Sequence, residues 1–224
     1  VRHERIKVFI ISIFSLVMGI IGIYQINISG SIIEDMPKKS EFFKDILFFD
    51  KEFNGIVPIE IIIDTDRKGG ATRLSTLRRI EKFEQFIEDI PELSTPISSV
   101  SGMKFIKQAY YNGNPNYYKL PTSQENTFIA RYLKNVKGSD GLMQSYVDST
   151  AQFNRVTTFM KDIPSVRIQE IEENLVKEID KIFPPELYNV KLTGKTLLYL
   201  KGTYYLIRNL IISLSLAILL IALF

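Results

Sequence analysis

The sequence predicts an α+β membrane protein, in which two transmembrane helices flank an extracytoplasmic domain of repeated β-α-β units carrying a helical insertion. Three observations lead there. Uncharged apolar runs occupy residues 8–24 and 210–224. The long region between them is polar enough to live in water. Within that region the hydrophobic period switches repeatedly between about two and about 3.6 residues, as strands and helices require.

The first apolar run is long enough to cross a bilayer. At about 1.5 Å per residue a helix over residues 8–24 measures roughly 26 Å, and one continued through Ile28 about 31 Å, which matches a hydrocarbon core. A cleaved secretory signal would need a shorter apolar core and a small-residue cleavage site, whereas Gln25, Ile26, Asn27 and Ile28 follow Tyr24. An uncleaved span over residues 8–28 is therefore expected. Arg2, Arg5 and Lys7 precede it, and Glu34 and Asp35 follow it, which places residues 1–7 in the cytoplasm and residues 25 to 205 outside. Lys195, Lys201 and Arg208 argue the other way, but long translocated domains largely escape the charge rule. Tyr24, Tyr204 and Tyr205 fit the outer interface. The second run is still apolar at Phe224, with no cap or turn residue, so the chain reads as the amino-terminal fragment of a larger protein.

Between the spans, residues 29–54 form a connector whose Phe42, Phe43, Ile46, Leu47, Phe49 and Phe53 fall at helical spacings. An extracytoplasmic domain over residues 55–194 follows. Ile59, Ile61 and Ile63 alternate with Glu60 and Asp64, predicting a strand over residues 56–65. Gly69 and Gly70 break the chain before a helix over residues 72–90 that buries Leu77, Ile80, Phe83, Ile87 and Ile90. Pro91 and Pro96 bound its exit, and a short strand over residues 97–101 closes a first β-α-β unit.

Residues 102–148 read as the insertion, with three short amphipathic helices marked by Phe105, Ile106, Ala109 and Tyr110, by Phe128, Ile129, Tyr132 and Leu133, and by Leu142, Met143, Tyr146 and Val147. Loops are expected at residues 112–116 and 137–141. A strand over residues 150–161, a helix after Pro164 with Ile168, Ile171, Leu175, Ile179, Ile182 and Phe183 on one face, and a strand over residues 190–193 make a second β-α-β unit. Two such units predict a ferredoxin-like domain. Gly194 ends the last strand, and residues 195–224 form one helix leading into the second span.

Composition excludes some classes. The 28 Lys and Arg are dispersed among 25 Asp and Glu for a net charge of +3, without the basic stripe that nucleic acid binding needs. With no cysteine there are no disulfides or thiolate sites. The roughly 180 residues between the spans can supply a core of their own.

Catalytic chemistry finds no footing. His3 is the single histidine and lies among cations before the first span, so no Ser-His-Asp or zinc set can be assembled. Gly194, Lys195 and Thr196 look like the end of a phosphate-binding loop, but Asn189 stands where its first glycine is required. Glu170, Glu172, Glu173 and Glu178 read as a solvated helix face rather than a cation site. No catalytic, cofactor or metal residue is expected, and substrate-binding residues stay unassigned. Neither span carries an ionisable residue, so a proton relay, if the whole protein has one, lies beyond Phe224.

The order of a first span, two β-α-β units with a helical insertion, the strand end Leu192, Thr193, Gly194 and the run from Tyr204 to Ala217 resembles the amino-terminal part of a resistance-nodulation-division (RND) superfamily transporter. Val147, Asp148, Ser149 and Thr150, followed by residues 155–162, are similar to porter domains of the branch that holds the mycobacterial membrane protein large (MMPL) family and Patched-related, sterol-sensing exporters. The resemblance implies a bacterial inner-membrane protein of about twelve spans in two repeated halves, driven by the proton gradient to export hydrophobic or amphiphilic substrates. Its implied partners are the lipid bilayer, a lipid-like substrate and the remainder of its own chain, with room for a homo-oligomer. The family's proton-relay acids have no match here. A second reading is the sensing half of a chemoreceptor or sensor kinase, which also places an outer domain between two spans.

Overall fold

A computed structural model describes residues 5–24, 36–135 and 143–223. The chain divides into two compact units, Val1–Gly30 and Ser31–Phe224. In the first, α1 (Arg5–Tyr24) is a helix of 20 residues whose apolar stretch runs over Phe9–Gly19. The continuation through Ile28 lies outside the described residues.

The second unit opens with α2 (Glu41–Glu52), which begins where the Ser40 hydroxyl accepts the Phe43 amide at 3.2 Å. None of its residues is buried. The domain proper is built on β1 (Val57–Asp64), the centre of an antiparallel sheet in the order β2 (Phe153–Met160), β1, β3 (Asn189–Thr193). Ile61 pairs with Val156 on one side and with Leu192 on the other. Val57, Ile59, Ile61 and Ile63 face inward, as strict alternation requires. They are covered by α3 (Leu74–Glu88), through Leu77, Ile80, Phe83 and Ile87, and by α6 (Ser165–Ile182), through Ile168, Ile171, Leu175, Ile179 and Ile182. The rings of Phe83 and Phe183 meet edge to face across this layer at 6.0 Å.

The short strand expected at residues 97–101 is not there. Ser98 instead caps α4 (Ser99–Tyr110): its hydroxyl accepts the Val100 amide at 2.9 Å, while its own amide donates to Ser101 in a capping box. Edge pairing falls earlier, where Leu93 bridges Met160 and Ile97 bridges Thr157, both antiparallel to β2. Pro96 has no amide to give a ladder, so this edge stays two bridges rather than a strand. The 93–97 segment and β1 thus run parallel with β2 between them, and β2 and β3 run parallel with β1 between them.

In the insertion, α4 buries Val100, Met103, Ile106 and Lys107, whereas Phe105 and Tyr110 of the expected face are exposed. A 3-10 turn (Pro115–Tyr117) and α5 (Ser123–Asn135), which buries Ile129, follow. Of the third expected helix, residues 143 and 144 are helical, but Val147 bridges Asn154 in extended form, and Leu142 and the 137–141 loop lie outside the described residues. After β3, α7 (Lys195–Leu223) is one helix of 29 residues. Among the described residues, Lys201–Ile221 is the one stretch long and apolar enough to cross a membrane.

Candidate functional site

A concavity lies between α2 and the edge of the sheet. Phe42, Ile46, Phe49 and Phe53 recur at helical spacing along one side of α2, and the last three line a cleft of about 760 Å³. Its facing wall is Ile90, Pro91, Leu93, Ile97 and Phe159, with Ile56 also in its lining. Phe49 and Phe53 stack on each other at 5.3 Å, and at 50% and 59% exposure their rings remain open to whatever occupies the cleft.

The backbone after α2 holds the two walls apart. Asn54 takes a positive φ of 58°, and its side-chain amide donates to the Leu93 carbonyl at 2.7 Å, tying the helix end to the edge segment. Gly55 follows at φ 140°, where a side chain would place its Cβ 2.5 Å from the Met160 carbonyl carbon. Polar groups in the lining are the carboxylates Glu52 and Glu88 with Asn54, Ser94 and Thr95. No lysine or arginine lines it among the described residues. An apolar, aromatic cleft of this volume with a few acidic groups matches small-molecule sites and offers no nucleophile-base pair.

Two buried ionisable groups lie outside the lining of the cleft. Glu84 sits on the apolar stripe of α3, one turn from Ile80, and accepts the Ser98 hydroxyl at 2.6 Å. Burial pushes its carboxyl up to about 7, against the Ser98 hydrogen bond and the nearby Lys104. Lys107, only 2% exposed, donates to Glu125 at 2.8 Å and to the Leu120 carbonyl at 3.3 Å. That contact, the Thr122 amide and further hydrogen bonds from Thr122 and Tyr111 outweigh desolvation and hold Glu125 down to about 2. Tyr111 also stacks on Tyr117 at 4.0 Å, so this network fixes the insertion's first two helices against each other.

The Val147–Asp148–Ser149–Thr150 run that carries the family resemblance forms the turn into β2. Desolvation pushes the Asp148 carboxyl up, but hydrogen bonds from the Thr150 hydroxyl and from the Phe153, Thr150 and Gln152 amides prevail and hold it below the usual range. Its role is to shape the backbone.

The acids weighed as a cation site separate on α6. Glu170 pairs with Arg167, Glu172 with Lys201 and Glu178 with Lys181, while Glu173 accepts from Gln169. Gly194, at φ 138°, joins β3 to α7, and a Cβ there would lie 2.8 Å from the Pro58 carbonyl oxygen. It serves the strand-to-helix turn. His3 lies outside the described residues.

Sequence reasoning passed over the cleft and both buried charged groups. Glu84 and Lys107 were within reach, since each occupies a helical position between apolar residues of the buried face. Models of known protein families and curated proteins, compared with this chain, include no match to it.

Proposed function

We propose that the chain is the amino-terminal part of a proton-driven exporter of the RND type in the inner membrane of a bacterium, supplying the first span over residues 8–28, the porter domain and the second span. The observation that carries this reading is the direct run of the domain's last strand, through Gly194 alone, into a helix with a membrane-length apolar stretch. A substrate-handling domain built continuously onto a spanning helix is what coupling of a membrane bundle to an outer path requires. The two interleaved β-α-β connections support a ferredoxin-like porter domain, in which each crossover spans an intervening antiparallel strand. The cleft supports the amphiphilic substrate class.

The test uses the full-length protein in cells. Because this chain has no cysteine, single cysteines at Asn116 and Glu186, both exposed, report their side of the membrane through an impermeant thiol reagent. Both should react once any outer membrane is opened, and cells making the protein should extrude an amphiphilic dye faster until a protonophore collapses the gradient. Labelling only after lysis, or dye efflux equal to that of a deletion strain, overturns the reading. Unchanged efflux with outside labelling moves it to the sensing half of a receptor.

A further inference from the structure

We propose that the cleft between α2 and the 93–97 edge takes a single-chain amphiphile with a cationic headgroup, a quaternary ammonium in the best case. The aliphatic floor comes from Ile56, Ile90 and Leu93 and suits an alkyl chain. The headgroup end is set by two independent features. Phe49 and Phe53 cover one face of each other by stacking and stay about half exposed, and their outer faces attract a quaternary ammonium without demanding a hydrogen bond. Glu52 and Glu88 supply the charge in the lining, which includes no lysine or arginine among the described residues. An anionic amphiphile of the same chain length would meet like charge at the same place, so the cleft discriminates by headgroup sign rather than by shape. This assignment draws its biological sense from the exporter reading, but binding is separable from transport.

The experiment places the full-length protein in vesicles of zwitterionic phosphatidylcholine, so that the membrane itself does not concentrate either probe. Two photoreactive probes are compared: a diazirine-bearing dodecyltrimethylammonium and a diazirine-bearing dodecanoate. Crosslinked peptides are mapped by mass spectrometry. The ammonium probe should modify residues 46–56 and 88–97 about tenfold more than the carboxylate probe and be displaced by unlabelled dodecyltrimethylammonium. In the Glu52→Gln, Glu88→Gln double variant, whose changes lie on exposed side chains, that preference should fall to about parity. Equal labelling by the two probes in the parent, a preference retained in the double variant, or crosslinks confined to other segments would each overturn the assignment. Labelling kept while export fails removes the exporter reading alone; export kept while cleft labelling is absent removes the site alone.

Discussion

Lys201 Nζ lies 2.5 Å from Glu172 Oε1, an ion pair that ties the start of the membrane-length stretch of α7 to the helix α6 packed under the sheet. The domain and this helix are thus joined covalently through Gly194 and again about two helical turns later through charge. Lys201 is 63% exposed, so the pair contributes under about 1 kcal/mol to stability, and its value lies in direction rather than strength. Lys201→Glu should leave the thermal midpoint within a few degrees of the parent and lower export. Adding Glu172→Lys should restore export, and failure of that rescue would mean that the pair does not transmit movement.

The covalent connection gives a stronger test. A flexible Gly-Ser insertion after Lys201 should leave the full-length protein folded and in the membrane yet abolish export, because α7 has no proline and only Gly202 to weaken it. The same insertion among residues 112–116, an exposed loop, should be tolerated. Membrane abundance and substrate accumulation are measured for both.

Strand register is tested at two adjacent positions of β1. Ile61 is fully buried, and Ile61→Asp should cost several kcal/mol, enough to abolish cooperative unfolding of a marginal domain. Glu60, on the other face, pairs with Arg155 at 3.7 Å with both partners more than a third exposed, so Glu60→Lys should cost under about 1 kcal/mol. Chemical denaturation separates the two, and equal effects would place β1 in the wrong register.

Glu84 makes stability depend on pH in the direction opposite to most carboxylates. Its folded value of about 7 lies above the ordinary 4.5, so its contribution is fully present below about pH 4.5 and is lost as pH rises through 7. Glu84→Gln, which keeps an acceptor for Ser98, should therefore stabilise the protein at pH 8 by up to about 3 kcal/mol and change little at pH 4. Glu125 has the other sign: its contribution holds above about 4.5 and disappears as pH falls toward 2. Denaturant midpoints across pH for parent and variant check both, and a Glu84→Gln midpoint below the parent's at pH 8 would contradict the buried-acid argument.

Gly194 is the fifth test. At φ 138°, with the Pro58 carbonyl 2.8 Å from a would-be Cβ, Gly194→Ala should destabilise the domain by roughly 2 kcal/mol or more, whereas Gly202→Ala, inside α7 with open surroundings, should leave stability unchanged or raise it slightly.

Where neighbours along the chain decide the outcome, residue patterns were a sound guide. Ile59, Ile61 and Ile63 alternate and are buried; Leu77, Ile80, Phe83 and Ile87 recur at helical spacing and cover them. Ile171 and Leu175 are buried as their helical spacing requires, whereas Ile90, at the end of the expected face of α3, is only partly buried. The failure at residues 97–101 came from a competition between signals. Ile97 and Val100 looked like strand residues, while the capping box uses Ser101 in place of the usual Glu or Gln and gave no clear helix start. The cleft was illegible for a different reason, since its walls come from segments far apart in sequence and are tied by contacts such as Asn54 to Leu93, which no local period encodes. Strand order is illegible on the same ground.

The central place of β1 has a consequence in time. Ile61 leaves the ribosome well before its partners Val156 and Leu192, and the second of them comes just before the membrane-length helix. No two of the three strands can pair until β2 has been made, so β1 waits with both edges open and its isoleucines uncovered while residues 65–152 are synthesised. Folding of the domain and delivery of α7 to the membrane are thereby compressed into the same interval, a schedule that favours capture of the emerging chain by holding factors until residue 193 is available.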